Sequence, residues 1–249
     1  MELIINGSSS KGNQYLLKSK DGILAIEAGI PLQELKKSID FDISNVCGCI
    51  ISHEHGDHAK YARDYAKAGI DIYTSAGTLD ALKFSSWGHI HRTHVVYDLQ
   101  YFMVGTFKVM PFKVRHDAAE PFGYLIQHEE MGLCLFLTDT WYCPYKFEGL
   151  NQLIIEANYD QEILENNIYN GAVHQSVAFR VNESHMSIAT LETMLLANNL
   201  TQVNNIILIH LSSANSNAQQ FKDRVTNLTG KNVSVAEKGM IINFDKRPF

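Results

Sequence analysis

The chain has 249 residues, 45% hydrophobic and 19% charged: enough apolar material for a sizeable core and too little charge for a disordered chain. Its net charge of −6, with no dense Lys/Arg run, excludes a protein that holds nucleic acid by charge alone. The opening Met1-Glu2-Leu3-Ile4-Ile5 lacks a basic region followed by a long apolar run, and no stretch reaches the ~20 apolar residues of a membrane span, so a cytoplasmic protein without membrane attachment is expected.

In chain order, residues 3–5 and 23–28 read as short apolar strands. Pro31, favoured in a first turn, opens a predicted helix through Ile39. Residues 46–51 form the next predicted strand. It carries Cys47 and Cys49 in C-x-C spacing, which matches neither redox nor zinc-knuckle sites; with Cys134 and Cys143 they are expected to be reduced, structural thiols. Helix 58–68, strand 71–74, helix 75–83 and strand 93–97 follow. Strands 107–114, 122–127, 133–138 and 153–156 continue the series, then helix 159–168. The segment 187–198 is amphipathic, with Ile188, Leu191, Met194 and Leu195 at helical spacing. Strand 205–210, helix 215–228 and strand 240–244 complete the reading. Strands mixed with helices in both halves indicate a layered α/β domain, but the order alone does not choose between flanked twin sheets and a doubly wound sheet.

The informative segment is Ser52-His53-Glu54-His55-Gly56-Asp57-His58, between a predicted strand and a predicted helix. Three imidazoles and two carboxylates packed this closely burden folding unless something uses them. Imidazole suits zinc and other first-row metals, and carboxylate bridges or completes a shell. Further donors stand at later strand ends: His116 after 107–114, Asp139 after 133–138, and His210 at the end of 205–210. Trp87-Gly88-His89-Ile90-His91-Arg92-Thr93-His94 is also His-rich, but no carboxylate or Cys accompanies it at ligand spacing; it is expected to be a surface or substrate-facing loop.

The H-x-H-x-D-H pattern resembles the signature of the metallo-β-lactamase superfamily. The resemblance implies an αββα four-layer sandwich, one domain over residues 1–249, and two divalent metal ions, Zn or Mn. It implies that His53, His55 and His116 hold one ion, that Asp57, His58 and His210 hold the other, and that Asp139 bridges them. His55 sides with the hydrolase branch, since diiron oxidoreductases of this fold typically carry Glu there.

Two further segments narrow the expected chemistry. Glu156, in Ile154-Ile155-Glu156-Ala157-Asn158, and His185, in Glu183-Ser184-His185-Met186-Ser187, resemble the strand-end Glu and His turn of the RNase Z branch of phosphodiesterases. In that branch a Glu orients a His that faces the scissile phosphate. Gly7-Ser8-Ser9-Ser10-Lys11-Gly12-Asn13, His116-Asp117-Ala118-Ala119-Glu120-Pro121-Phe122-Gly123-Tyr124 and His210-Leu211-Ser212-Ser213-Ala214-Asn215 are similar to motifs of the WalJ/YycJ-type exonucleases. That family implies a nucleic-acid substrate, DNA degraded from the 5′ side. By this resemblance Asp57 aims the attacking water and His185, held by Glu156, assists the departing oxygen. Ser212 and Asn215 are candidates for a neighbouring phosphate, with a helix cap the alternative for Asn215. The chain departs from the family at Trp141, where Gly usually follows, and at Tyr159, where His is common. It departs again over residues 170–182, which keep Arg180 and little else. The segment between Asp139 and His210 is too short for the extra domain of the RNase J branch. Alternatives on the same metals are a small-molecule phosphodiesterase, an RNase Z-like ribonuclease, and a lactonase or thioesterase.

Overall fold

The computed structural model describes residues 1–84 and 89–247. In chain order the elements are β1 Glu2–Gly7, β2 Gln14–Ser19, β3 Gly22–Ile26, α1 Leu32–Ser38, β4 Val46–Ile50, α2 Gly56–Ala59, α3 Ala62–Lys67, β5 Ile72–Thr74, α4 Ala76–Ala81 and β6 Thr93–Val95. The second half adds β7 Phe102–Val104, β8 Phe107–Lys113, β9 Phe122–His128, β10 Gly132–Leu137, β11 Leu150–Glu156, α5 Gln161–Tyr169, α6 Gln175–Ser184, α7 Ile188–Ala197, β12 Asn205–Ile209, α8 Ala218–Thr229, β13 Asn232–Val235 and β14 Ile241–Asn243.

The strands form two seven-stranded sheets, ordered β14-β1-β2-β3-β4-β5-β6 and β13-β12-β11-β10-β9-β8-β7. Successive side chains in a strand point to opposite faces, and the sequence uses both faces. Leu3 and Ile5 enter the space between the sheets, whereas Ile4 faces the helices. Ile207 and Ile209 point inward, whereas Ile206 and Leu208 meet α7 and α8. Tyr15, Leu24, Ile26 and Ile50 thus pack against Tyr124, Ile126, Phe136 and Ile154 in a central apolar layer. Leu35 of α1 and Ala62, Tyr65 and Ala66 of α3 cover the first sheet. Leu191 and Leu195 of α7 and Phe221 and Val225 of α8 cover the second. The result is the expected αββα sandwich of four layers.

Chain direction is what positions the site. β3, β4, β5 and β6 are mutually parallel, as are β10, β11, β12 and β13. Their C-terminal ends open at one edge of the sandwich, where the chain leaves each strand for a helix or loop.

The strands β2, β7 and β13 and the helix α6 were not anticipated from the sequence. The single helix expected over 58–68 is instead α2 and α3. The break falls at Tyr61, whose amide donates to the Ala28 carbonyl (2.9 Å) rather than continuing α2. Trp87 and Gly88 of the His-rich loop lie outside the described residues. His94 of that loop sits in β6, stacked on Tyr73 with ring centroids 4.6 Å apart.

Candidate active site

Each expected metal-binding residue leaves the end of a strand or the first turn of a helix. His53 and His55 follow β4, and Asp57 and His58 lie in α2. His116 follows β8, Asp139 follows β10 and His210 follows β12. Three strand-end residues take positive φ: Glu27 (67°), Asp139 (44°) and His210 (55°). Left-handed backbone is strained for such residues and persists where packing and bonding overdetermine it, which is common at functional sites. It swings each side chain off the strand and across the edge of the sandwich.

Asp139 is the centre. It is buried, and its Oδ2 lies 3.3 Å from His53 Nε2, 2.8 Å from His58 Nε2 and 3.8 Å from His116 Nε2. Its Oδ1 lies 3.2 Å from His210 Nδ1. His55 Nδ1 faces His116 Nε2 at 3.1 Å, and Asp57 Oδ2 faces His210 Nε2 at 3.1 Å. The donors fall into two overlapping sets, His53/His55/His116/Asp139 and Asp57/His58/Asp139/His210, each with its donor atoms within 4.8 Å of one another. A third overlapping set is Asp139/Glu156/His185/His210.

The outward ring nitrogens are fixed from behind. His116 Nδ1 donates to the Ser184 carbonyl (2.9 Å), which leaves Nε2 with its lone pair toward the cluster. His53 Nδ1 pairs with Ser52 Oγ (2.8 Å), and His58 Nδ1 faces Glu27 Oε1 (3.5 Å). Support of this kind orients imidazoles for metal binding. His53 Nε2 is buried with no hydrogen-bond partner among the described residues. Such an orphan costs about 1–3 kcal/mol unless a ligand satisfies it. An all-His/Asp donor set with a free buried nitrogen fits divalent first-row cations.

The charges divide the cluster: two imidazoles are neutral as they stand, and two share protons with the buried carboxylates that a cation would displace. Burial pushes the His53 and His116 imidazoles down to about 4, so both are neutral at pH 7, the form that binds metal. Burial also opposes charge on His58, but Asp139 and Glu27 prevail and hold it well above the ordinary value. Against the same burial, Glu156 and Asp139 lift His185 to about 10, and Asp139 and Asp57 lift His210 to about 9. Burial would raise Asp139, but His210 and His58 hold it well below the usual carboxylate range.

Glu156 and His185 meet as expected. His185 Nδ1 donates to Glu156 Oε1 at 2.7 Å and lies 3.5 Å from Asp139 Oδ1. The backbone amides of Thr140 (3.1 Å) and Met186 (3.2 Å) both donate to Glu156 Oε2, so the carboxylate is locked. Ser212 and Asn215 are not brought into this cluster. Ser212 Oγ accepts from the Asn215 amide (3.2 Å), and the buried Asn215 side chain accepts from Asn167 Nδ2 (2.9 Å). Nor is Asn215 a helix cap: that position belongs to Asn217, whose side chain accepts from the Gln220 amide.

Three supporting residues escaped the sequence reading. Asn13 Nδ2 reaches Asp57 Oδ2 (3.3 Å) and His58 Nε2 (3.2 Å). Asn158 Nδ2 donates to the His210 carbonyl (2.8 Å), and Glu27 stands behind His58. Glu27 carried the signal already used for Glu156, an acid at the end of an apolar run. Running the predicted strand through Ala28 hid it.

The beta-lactamase superfamily domain matches residues 32–211, well over half of the chain. The exodeoxyribonuclease YycJ of Bacillus anthracis is 29% identical over 225 residues, covering 84% of this chain and 81% of the relative. The metallo-beta-lactamase fold protein YhfI from Bacillus subtilis superposes with a TM-score of 0.71 at 14% identity, over 97% of this chain and 98% of that one. Zn(2+)-bound PqqB from Methylobacterium extorquens gives 0.67 at 12% identity, over 98% and 100%. No helix among the described residues is long and apolar enough to cross a membrane. The chain belongs to the metallo-β-lactamase superfamily and is a metal-dependent hydrolase whose fold implies divalent cations.

Proposed function

We propose that the protein is a dinuclear phosphodiesterase that degrades DNA from the 5′ end. The carrying observation is the Glu156–His185 contact at 2.7 Å, set against Asp139. Ester hydrolysis on the same donors also ends on an oxygen that takes a proton, but it presents no charged phosphoryl oxygens for a carboxylate-held imidazolium to face. A phosphodiester does: its leaving oxygen needs a proton and its phosphoryl oxygens need positive charge. The likeness to YycJ over most of the chain supports DNA as the polymer.

His53, His55, His116 and Asp139 would hold one cation, and Asp57, His58, His210 and Asp139 the other. When bound, such a pair supplies Lewis acidity toward phosphoryl oxygens and lowers the pKa of water. The chain's own groups do the rest. Asp57, partly exposed and fixed by Asn13 and His210, accepts a hydrogen bond from the attacking water and aims it. His185, protonated at neutral pH, gives its proton to the departing oxygen; locked Glu156 holds the ring on Nδ1, and the proton leaves from Nε2.

The His185→Ala variant tests this assignment. It should keep its metals and fold and lose about 10²–10⁴-fold in phosphodiester turnover. Loss of metal instead would make His185 a ligand, in the third donor set. Undiminished turnover would remove the main support for the reading.

A further inference from the structure

The helix α6 roofs the metal centre. Val177, Arg180, Val181 and Ser184 recur at helical spacing and so share one face, and Val177, Arg180 and Val181 line the cleft that holds His55, Asp57, Asp139 and His185. The adjoining face carries Phe179. It opens on a second cleft of about 510 Å³, lined also by Arg115, His116, Trp141 and Arg180 and by the carboxylates Asp117, which pairs with Arg180, and Glu183 at its α6 side, a volume within the usual range for ligand sites. His116 and Arg180 line both clefts, so the two adjoin across these side chains.

The chemistry of the second cleft is unusual for a protein surface. Phe179 is 64% exposed and Trp141 39% exposed, with the Tyr142 ring 5.8 Å from the Trp141 ring. The Arg115 guanidinium lies over the Trp141 ring at 5.4 Å, and among the described residues it has no carboxylate partner. Arg180 is anchored by Asp117 through Nε (3.1 Å), its one ion pair among the described residues. Exposed aromatic faces beside cations, next to the proposed phosphodiester centre, match a nucleotide: a π-face for the base and guanidinium for the flanking phosphate.

We propose that this cleft is the nucleobase subsite, in which Trp141 and Phe179 stack the base next to the scissile phosphate while Arg115 holds the following phosphate. This rests on the phosphodiesterase reading and deepens it. Stacking is tolerant of base identity, so the subsite gives grip on a single-stranded end without sequence preference. It also explains how an acidic chain holds a polyanion: the grip is local and aromatic.

The test compares oligonucleotides whose terminal nucleotides carry bases with matched strands that are abasic there. In the wild type, removing the bases should raise KM about tenfold. Trp141→Ala and Phe179→Ala should each raise KM on the base-bearing strand by part of that factor, about threefold, with little change in kcat. Each single variant should distinguish the two strands less than the wild type does, and the double variant not at all, because removing the base and removing both rings delete the same contacts. Trp141→Phe should restore most of the discrimination. Cleavage by the wild type with equal KM on both strands, or variants that still discriminate as the wild type does, would overturn the subsite and leave the phosphodiesterase reading intact. Failure of the wild type to cut either strand would overturn both.

Discussion

At the residue scale, function converges on Asp139, whose two oxygens face different partners. Asp139→Ala should therefore depress binding at both metal positions, seen by elemental analysis of gently purified protein reloaded with Zn or Mn. Retention of one ion at full occupancy would show that the carboxylate does not bridge. Glu156 makes a separate prediction. With Glu156→Gln, burial acts on His185 against less negative charge, so the imidazolium loses its proton at a lower pH. The general acid is the protonated form, so the alkaline limb of kcat against pH should move to lower pH. An unmoved limb would assign it to another group. Gly29 makes a third: a Cβ there would lie 1.7 Å from the Asp57 carbonyl oxygen. Gly29→Ala should push α2 outward and weaken metal binding, measured by competition with a chelator, while the distant α7–α8 layer keeps its packing. The residues of the cluster were legible because donor types and spacing are chemical facts of the chain. The supports were not, because Asn13, Glu27 and Asn158 look like ordinary polar residues until the fold sets them behind an imidazole.

At the element scale, what was legible followed burial contrast. Strands 107–114 and 122–127 and helix 187–198 announced themselves through continuous or periodic apolar residues and were found within a few positions. Of the unanticipated elements, β2 does carry an apolar run, Tyr15-Leu16-Leu17, but only three residues long after the polar Gly7–Gln14 stretch, and the other short strands lack that contrast. β7 and β14 are three residues each, and β13 reads Asn232-Val233-Ser234-Val235, weak patterns on their own that pair with stronger neighbours. Only the second was marked, by its apolar flank at Met240. α6 reads Gln175 to Ser184 with little apolar content, since one face packs on α5 through Ala178 while others face the clefts. Its functional surface is what blurred its periodicity. The central layer should in turn be the mechanical core. Ile207→Ala, fully buried between the sheets, should cost about 2–5 kcal/mol by denaturant unfolding. A cost under about 1 kcal/mol would mean that the layer collapses around the void.

At the scale of the whole molecule, the acidic charge and the small recognition surface act together. A net charge of −6 leaves few phosphate contacts beyond the metal centre and the arginines beside it. Binding to single-stranded DNA should therefore weaken only gently with salt, with a log–log slope of about −2, since the slope scales with phosphates neutralised. Weak grip along the strand also means low processivity. The most direct measurement follows label release from single-stranded DNA tagged at the 5′ or the 3′ end, with protein loaded with Mn or Zn. A 5′-acting dinuclear phosphodiesterase should free the 5′ label early, in very short products, while 3′ label stays in long fragments, and a chelator should stop both. Equal release from the two ends would contradict the polarity, and hydrolysis of a lactone or thioester with no cleavage of DNA or RNA would contradict the function itself.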